Sequence, residues 1–358
     1  MTRRIHASLV LGSLCAGMWI AAQVLAFQAP LPQPPGGAGG RRQQIDQAIV
    51  RALDYLARRQ LNTGAWSSDE MGSSPACTSL AVMAFLAAGH VPGEGPYALQ
   101  IERGVNWVLQ QQLPNGMFAD TATHGPMYSH GICTLMLAEV LGMTSQESAR
   151  PIRKALERAV ERILVAQQVP KDVRNAGGWR YHLGSDDSDL SVTGWQLLAL
   201  RASKNVGCDI PGECIENAVA YVKKCSVRGN EGFCYQPGDG ATAVRTGTGI
   251  LCLEICGEHH TAEALGGANY LIRRPLRQHD QFFYYGVYYC TLGMFQIGGQ
   301  HWAVVRDQME PMILAQQLPD GRWESNRGEE TRPGPIYCTS MSVLALAVEY
   351  QYLPIYQR

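Results

Sequence analysis

The sequence predicts an all-α fold in which six helix pairs close into a ring. The stretch QQLPNGMF at residues 111–118 returns almost unchanged as QQLPDGRW at residues 316–323. Repetition at that distance indicates a copied supersecondary unit. Helices with one charged face also alternate along the chain with helices that are apolar nearly all round. The apolar helices must be buried on most sides, so we expect them inside the ring and the amphipathic helices outside it.

The N-terminal 43 residues predict an exported protein. Arg3 and Arg4 precede an apolar stretch over residues 7–26 that ends in small residues, a pattern typical of a secretory signal peptide. The stretch is long for a signal core, so an uncleaved membrane anchor is the alternative. Residues 27–43 are rich in Pro and Gly and are predicted to be a linker. We expect residues 44–358 to form the repeat domain of a periplasmic or extracellular protein, membrane-anchored if the leader stays.

The net charge and the cysteine content indicate whether nucleic-acid binding and disulfide bonds are expected. The net charge is −1 and no basic run follows the linker, which disfavours nucleic acid as a partner. The chain has 11 cysteines, and export would permit disulfides. Cys208/Cys214 and Cys225/Cys234 lie in or beside loops and are the best candidate pairs, although the sequence leaves the connectivity open. Most other cysteines lie in apolar helical runs, where a free buried thiol is expected.

Each repeat is predicted to contain an outer helix with a Gln-rich end, a turn with Gly and an aromatic residue, and an apolar inner helix. In the first unit, Ile45, Ile49 and Leu56 keep helical spacing, and the turn reads QLNTGAW. The fifth unit is degenerate. Outer helices are predicted near residues 45–58, 101–112, 151–168, 214–224, 262–273 and 302–317, and inner helices near 77–88, 130–141, 190–200, 246–256, 285–297 and 337–348.

Closure into a ring is favoured over an open solenoid. An open stack needs polar caps on its first and last repeats, and the terminal units show no obvious cap. A closed ring buries every inner helix without caps. Glycine in the turns supplies the left-handed conformation that ends each outer helix.

These turns resemble the Gln-Trp repeats of the squalene cyclase and protein prenyltransferase β-subunit superfamily. The resemblance covers about residues 44–358, and its most telling pieces are Gln60/Gly64/Trp66, Gln316/Gly321/Trp323 and the stretch FFYYGVYYCTLGMFQIGGQHW at residues 282–302. It implies an (α/α)6 toroid whose central cavity holds an isoprenoid chain. It also implies that any chemistry lies at the end of the ring where the inner helices begin.

The catalytic motifs of that superfamily are incomplete here. Squalene cyclases protonate an alkene with an Asp-x-Asp-Asp-Thr motif; Asp189 matches the first Asp and Thr193 the Thr, but Ser191 stands where the proton donor is expected. Protein prenyltransferases hold zinc with Asp, Cys and His, and Ser191 again replaces the Cys. We therefore predict no metal and no cofactor. His130 to Thr134 match the His-Gly-x-x-Thr stretch whose His contacts a prenyl diphosphate.

Three residues are the candidate catalytic groups: Asp189, His130 and Asp187. Each has a structural alternative. Asp189 is placed to cap the helix that begins after it, Asp187 can be a solvated loop acid, and His130 can be a hydrogen-bonded structural residue.

The candidate cavity residues lie in or just after the loops that enter the inner helices. They are Tyr128, Trp195, Arg245, Tyr285, Tyr288, Tyr289, Tyr337, Cys77, Cys133, Cys290 and Cys338. The aromatic rings would suit an isoprenoid or a cationic intermediate. Each of the four cysteines precedes a Thr at the start of an inner helix. Close packing of small residues explains this pattern, and a thiol-lined or metal-binding mouth assisted by His124 and His130 is the alternative.

Three functions follow as hypotheses. The first is an exported toroid that holds an isoprenoid or other apolar ligand without established catalysis. The second is an active isoprenoid transferase or cyclase that uses an acidic cavity mouth. The third is a scaffold that binds a protein partner. A membrane contact is expected only through the N-terminal segment.

Overall fold

The computed structural model describes residues 39–357, leaving out residues 69, 71 and 120–124. The predicted signal segment 1–26 and most of the predicted linker 27–43 lie outside these residues. The chain divides into the units Met1–Gln43 and Gln44–Arg358, and the following concerns the second. The first described helix begins at Gly39, within the segment predicted as linker, and continues into this unit. No helix among the described residues has both the length and the apolar character needed to span a bilayer.

Helices alternate between an outer and an inner layer along the described chain. The outer helices are α1 (Gly39–Arg59), α3 (Ala98–Gln110), α5 (Gln146–Gln167), α7 (Gly212–Lys224), α9 (Ala262–Arg273) and α11 (Gly299–Leu314); the inner helices are α2 (Pro75–Ala87), α4 (Pro126–Gly142), α6 (Leu190–Asn205), α8 (Ala243–Ile255), α10 (Phe283–Ile297) and α12 (Gly334–Leu346). The short strands β1 (Ser67–Ser68) and β2 (Gly72–Ser73) pair antiparallel. All twelve helices overlap the stretches that the sequence predicts.

The inner helices form a closed ring. Each packs against the next along the chain, from α2 to α12, and α12 packs back against α2. Every residue of α2 is buried, as the apolar composition of that helix requires. The prediction of six helix pairs closed on themselves is therefore confirmed, and the open solenoid is wrong.

A glutamine at the end of an outer helix joins each of four turns to the next outer helix. The Gln60 amide nitrogen donates to the carbonyls of Gly64 (2.9 Å) and Gln100 (2.8 Å), the second of which belongs to α3. Gln112 and Gln167 repeat the arrangement in the second and third turns. Gln317 donates to Gly321 (2.9 Å) and to Ala48 of α1 (2.8 Å), so the same bond joins the last unit to the first. We call these four contacts the glutamine bridges.

Glycine in these turns is required by both conformation and space. Gly321 has φ of +98°, and a Cβ on it would lie 2.2 Å from the Arg51 carbonyl oxygen of α1. Gly177 has φ of +96°, and its Cβ would lie 2.1 Å from the Asn217 carbonyl of α7. A side chain would push the turn away from the next outer helix, and the left-handed φ is costly for any other residue.

The aromatic residue after each glycine ties the turn to both helices of its own unit. The Trp66 indole N–H donates to the Leu56 carbonyl of α1 (2.7 Å), and its backbone N–H donates to the Thr78 hydroxyl of α2 (3.0 Å). Trp323 makes the same two contacts with Ile313 and Thr339. Both rings are fully buried, so their polar atoms need these partners.

The C-terminal segment fills the end of the ring where the inner helices finish. It forms the 3-10 turn Pro354–Tyr356, which packs against α4 and α6. The Tyr356 hydroxyl hydrogen-bonds the Tyr288 hydroxyl, and the Gln296 amide donates to the Tyr356 carbonyl (2.9 Å). Glu139 of α4 accepts from the Ile355 N–H (3.3 Å), and burial raises the pKa of its carboxyl group to about 8.

Replacing Gln317 by Ala should destabilise the protein more than replacing its neighbour Gln316. Q317A leaves the Gly321 and Ala48 carbonyls without their shared donor, which should cost about 1–3 kcal/mol. Gln316 donates only to Met312 one turn earlier in its own helix, so Q316A is the matched control and should cost about 0.5 kcal/mol. Urea unfolding of both variants measures the difference, and equal losses would contradict a special role of the ring-closing bridge.

Candidate functional site

A cavity of about 390 Å³ opens at the end of the ring where the inner helices begin. Its wall is made mainly of apolar and aromatic side chains, with a few charged groups. The lining residues are Ser74, Ala76, Cys77, Leu80, Tyr128, Ile132, Tyr181, Trp195, Tyr235, Arg245, Phe282, Tyr285, Glu329, Glu330, Arg332, Pro333 and Tyr337. The volume lies within the roughly 300–1,000 Å³ that small-molecule sites commonly have.

Six of the predicted cavity residues lie on this wall: Tyr128, Trp195, Arg245, Tyr285, Tyr337 and Cys77. Burial raises the pKa of the Tyr128, Tyr285 and Tyr337 hydroxyls. They therefore stay protonated at neutral pH and can act as hydrogen-bond donors.

Two predicted wall residues, Tyr288 and Tyr289, fill the interior instead. They lie on α10 one turn deeper than Tyr285. Tyr288 stacks on Trp195 with ring centroids 5.4 Å apart, and Tyr289 meets Trp195 edge-on at 5.5 Å. Trp195 is thus the floor of the cavity, with these two rings packed beneath it.

Three of the four predicted cysteines are also outside the cavity wall. Cys133 accepts from the Ser79 hydroxyl of α2 (3.3 Å), Cys290 donates to the Ala243 carbonyl of α8 (3.3 Å), and Cys338 is fully buried. These thiols pack between helices, which supports close packing as the reason for the pattern. Among the described residues, no cluster of three His, Cys, Asp or Glu side chains could hold a metal ion. His124 lies outside those residues.

His130 has a structural role that explains its position in the repeat. Its Nδ1 accepts from the Phe118 backbone N–H (3.1 Å), and its Nε2 donates to the Ala159 carbonyl (3.0 Å). It therefore takes the place that Thr78 has beside Trp66 in the first unit. Burial lowers the pKa of His130 to about 4, so the ring is neutral. The expectation that His130 lies at the cavity mouth is corrected, since it is buried and outside the lining.

Asp189 caps helix α6 and anchors an arginine. One carboxylate oxygen accepts from the Ser191 and Val192 N–H groups (2.8 and 2.9 Å), and the other accepts from Arg180 (2.8 Å). Burial raises the pKa of Asp189, while the Val192 amide and Arg180 oppose that shift. Asp189 is outside the cavity lining and has both oxygens engaged, so the alternative of a capping residue is the one that the structure supports.

Asp187 and Asp189 hold Arg180 against two cavity tyrosines. Asp187, which is half-exposed, contacts the Arg180 Nε at 3.0 Å. The Arg180 guanidinium lies 4.2 Å from the Tyr181 ring centroid and donates to the Tyr235 hydroxyl (2.6 Å). The two acids therefore act on the wall through Arg180 rather than by facing the cavity.

Arg245 is the cation that faces the cavity from helix α8. Its guanidinium lies 4.9 Å from the Tyr235 ring centroid and 5.5 Å from those of Phe282 and Tyr285. No carboxylate of the described residues lies within ion-pairing distance of it. A cation bounded by three aromatic faces and open to the cavity is suited to an anionic group on a bound molecule.

Glu330 is a cavity residue that the sequence did not indicate. Its two carboxylate oxygens accept from the Tyr284 and Tyr285 N–H groups at the start of α10 (3.1 and 2.9 Å). Phe282 precedes that helix, and its apolar side chain cannot cap the helix. Burial raises the pKa of Glu330 to about 7 although these amides oppose the shift. The loop SNRGEETRPG contains four charged residues, two Arg and two Glu, in close succession, so composition could not reveal which of them is buried.

The architecture gives the class of fold, and the comparisons with known proteins give the family. A closed ring of six helix pairs around a cavity defines the class of α–α toroids, and the chain belongs to the prenyltransferase alpha-alpha toroid domain family, whose model matches residues 41–169 and 97–282. Among curated proteins, none matches this sequence.

Two solved structures share the fold at low identity. An inactive variant of a Salegentibacter α-1,6-mannanase in complex with α-1,6-mannotriose has 10% identity and a TM-score of 0.64, covering 85% of this chain and 98% of its own. A variant of the type II terpene cyclase MstE from Scytonema, in complex with geranylgeranyl dihydroxybenzoate, has 12% identity and a TM-score of 0.55, covering 88% and 99%. At these identities the likeness concerns the fold alone.

Titration of Glu330 should make stability depend on pH between about 4.5 and 7. The folded state holds the proton more tightly than the unfolded state, whose pKa is 4.5, so the folded state gains stability below this window and loses it as pH rises through about 7. The expected loss is about 3 kcal/mol. Urea unfolding at several pH values should show a shallower slope for Glu330→Gln, and an unchanged slope would contradict the raised pKa.

Proposed function

We propose that this toroid binds an isoprenoid or similar apolar molecule that carries an anionic head group. The observation that carries the proposal is the cavity itself, with an aromatic wall and two lining cations, of which Arg332 contacts Glu329 and Arg245 faces aromatic rings. The apolar body would contact Leu80, Ile132 and Trp195, which line the same cavity. Burial of apolar area supplies affinity, and the charged hydrogen bond to Arg245 orients the ligand.

The two structural neighbours suggest different ligands, and the cavity favours the isoprenoid. A glycoside hydrolase usually needs two carboxyl groups on opposite sides of the scissile bond. Here the carboxyl groups that line the cavity are those of Glu329 and Glu330, which are adjacent in one loop, and Glu329 contacts Arg332 at 3.6 Å. The neighbour that holds geranylgeranyl dihydroxybenzoate is therefore the better guide to the class of ligand. We also propose export, on the basis of residues 1–26.

Arg245 should discriminate between an isoprenoid acid and the matching alcohol. Farnesoic acid and farnesol share their chain and differ in charge, so Arg245→Met should weaken binding of the acid about 10-fold or more and leave the alcohol within about 2-fold. Isothermal titration calorimetry with the full chain measures both. Arg201→Met is the control variant, because Arg201 donates to the Ile255 carbonyl at the far end of α8. Equal losses for acid and alcohol, or no binding of either by the wild type, would refute the proposal.

A second candidate is catalysis on the bound isoprenoid, and Glu330 is the observation that favours it. Its carboxyl group has a pKa of about 7, lies in the cavity wall and starts the helix that carries Tyr285. A group that titrates near neutral pH can give or take a proton, and the surrounding rings can stabilise a cation. Asp189 is no longer the preferred proton donor, since it does not line the cavity whereas Glu330 does.

Measuring product formation distinguishes catalysis on the isoprenoid from binding alone. Incubation of the wild type with farnesoic acid and geranylgeraniol, followed by gas chromatography, should yield a changed product only if the cavity is catalytic. Glu330→Gln should then reduce the rate about 100-fold or more while binding persists. Glu161→Gln is the control, because Glu161 is an exposed acid of the outer helix α5 and its loss should leave the rate within about 3-fold. Unchanged substrate after incubation with the wild type supports the binding function alone.

A further inference from the structure

Two cysteines lie directly opposite each other in the hairpin that follows α7. The Val227 N–H donates to the Gly232 carbonyl (2.9 Å), and the Cys234 N–H donates to the Cys225 carbonyl (2.9 Å). Ser226 and Phe233 form an antiparallel bridge between these two contacts. The three contacts fix a single register in which Cys225 and Cys234 are cross-strand partners.

This register brings the two thiols within bonding reach. Side chains of directly opposed residues lie on the same face of an antiparallel pair. Residues in a hydrogen-bonded pair have Cα atoms ~5.5 Å apart, and disulfides usually span about 4.4–6.8 Å between Cα atoms. The Cys234 Sγ donates to the Cys225 carbonyl (3.0 Å) and to the Gln236 carbonyl (3.1 Å), and both thiols are present in the free form.

The other pair indicated by the sequence lacks this geometry. Burial raises the pKa of both Cys208 and Cys214, and neither thiol contributes to the shift of the other. The charged groups that act on Cys208 are Arg153 and Glu157. Cys208 and Cys214 therefore form a natural control for the opposed pair.

We propose that Cys225 and Cys234 are a redox pair, which forms a disulfide by exchange with a small-molecule disulfide of the glutathione type. One thiol loses its proton to solvent, and its thiolate attacks a sulfur of the small disulfide and releases one small thiolate. The second protein thiol then attacks the mixed disulfide and releases the other small thiolate, to which its proton passes. Two protein thiols are oxidised and one small disulfide is reduced to two thiols, so atoms and electrons balance.

Cys234 is the better attacking group of the two. The neighbouring Cys225 thiol lowers the pKa of Cys234 to about 7, and backbone amides of Gly238 and Asp239 add to that effect. The same interaction raises the pKa of Cys225. An asymmetric pair of this kind is typical of reactive dithiols. Both cysteines are buried, and the short turn over residues 227–232 that joins them contains the exposed residues Gly229 and Glu231.

The pair is joined to the cavity by Tyr235, the residue after Cys234. Tyr235 lines the cavity, accepts from Arg180 (2.6 Å), and its carbonyl accepts from the Leu190 N–H at the start of α6 (2.9 Å). A disulfide would fix the strand that carries Tyr235. The proposal does not depend on the ligand, because the thiol geometry stands without it.

Peptide mapping after redox equilibration tests the proposal. The full chain is equilibrated in mixtures of reduced and oxidised glutathione, quenched with acid, unfolded, alkylated and digested. Under oxidising mixtures we expect one linked peptide pair containing Cys225 and Cys234, with Cys208 and Cys214 alkylated. Cys208→Ser should leave this link unchanged, and Cys225→Ser should remove it and leave Cys234 either alkylated or carrying glutathione.

Other outcomes overturn the proposal. These are full alkylation of Cys225 and Cys234 after oxidation, a stable glutathione adduct on Cys234 of the wild type, or a link between different cysteines. Circular dichroism verifies that Cys225→Ser folds; if it does not, Cys234→Ala replaces it. The wild-type peptide map is decisive without either variant.

Discussion

The glutamine bridge is the contact on which the ring depends. One amide group donates to the carbonyl of its own turn and to the next outer helix, as Gln317 does with Gly321 and Ala48. This pair of hydrogen bonds forms only because the turn lies close to the next outer helix, and glycine permits that approach. At Gly321 a Cβ would collide with Arg51. Repeated around the molecule, this short polar contact sets the spacing of the outer helices, and the apolar inner helices then meet their neighbours on both sides.

The periodic part of the fold could be predicted because the same physical demands recur in every unit. Apolar spacing located all twelve helices, and Gln, Gly and Trp marked the turns. The Thr after Cys77 and the Thr after Cys338 belong to this logic as well, since Thr78 and Thr339 accept the backbone N–H of the turn tryptophan. His130 does the same for Phe118. Its position in the repeat, rather than its chemical type, decides its role, and a motif match could not show this.

The site was harder to predict because burial depends on contacts between distant units. Helical spacing alone does not distinguish Tyr285, on the cavity wall, from Tyr288 one turn deeper under Trp195. Glu330 is buried because α10 begins without a capping side chain, and a loop 46 residues further along the chain supplies the acceptor. Such a contact leaves no local pattern in the sequence, whereas the capping role of Asp189 could be foreseen from its place before α6.

The two ends of the ring have different physical characters. At one end the inner helices finish, and the C-terminal segment fills the interior with Tyr356 against Tyr288 and brings Ile355 to Glu139. At the other end, where the inner helices begin, the cavity is open and the charged groups near it have protein partners. Asp189 and Asp187 pair with Arg180, and backbone amides at the start of α10 donate to Glu330. Arg245 is the charge left facing the cavity without a carboxylate among the described residues. Its neighbours are instead the ring faces of Tyr235, Phe282 and Tyr285, which bound the guanidinium on the side of the cavity wall.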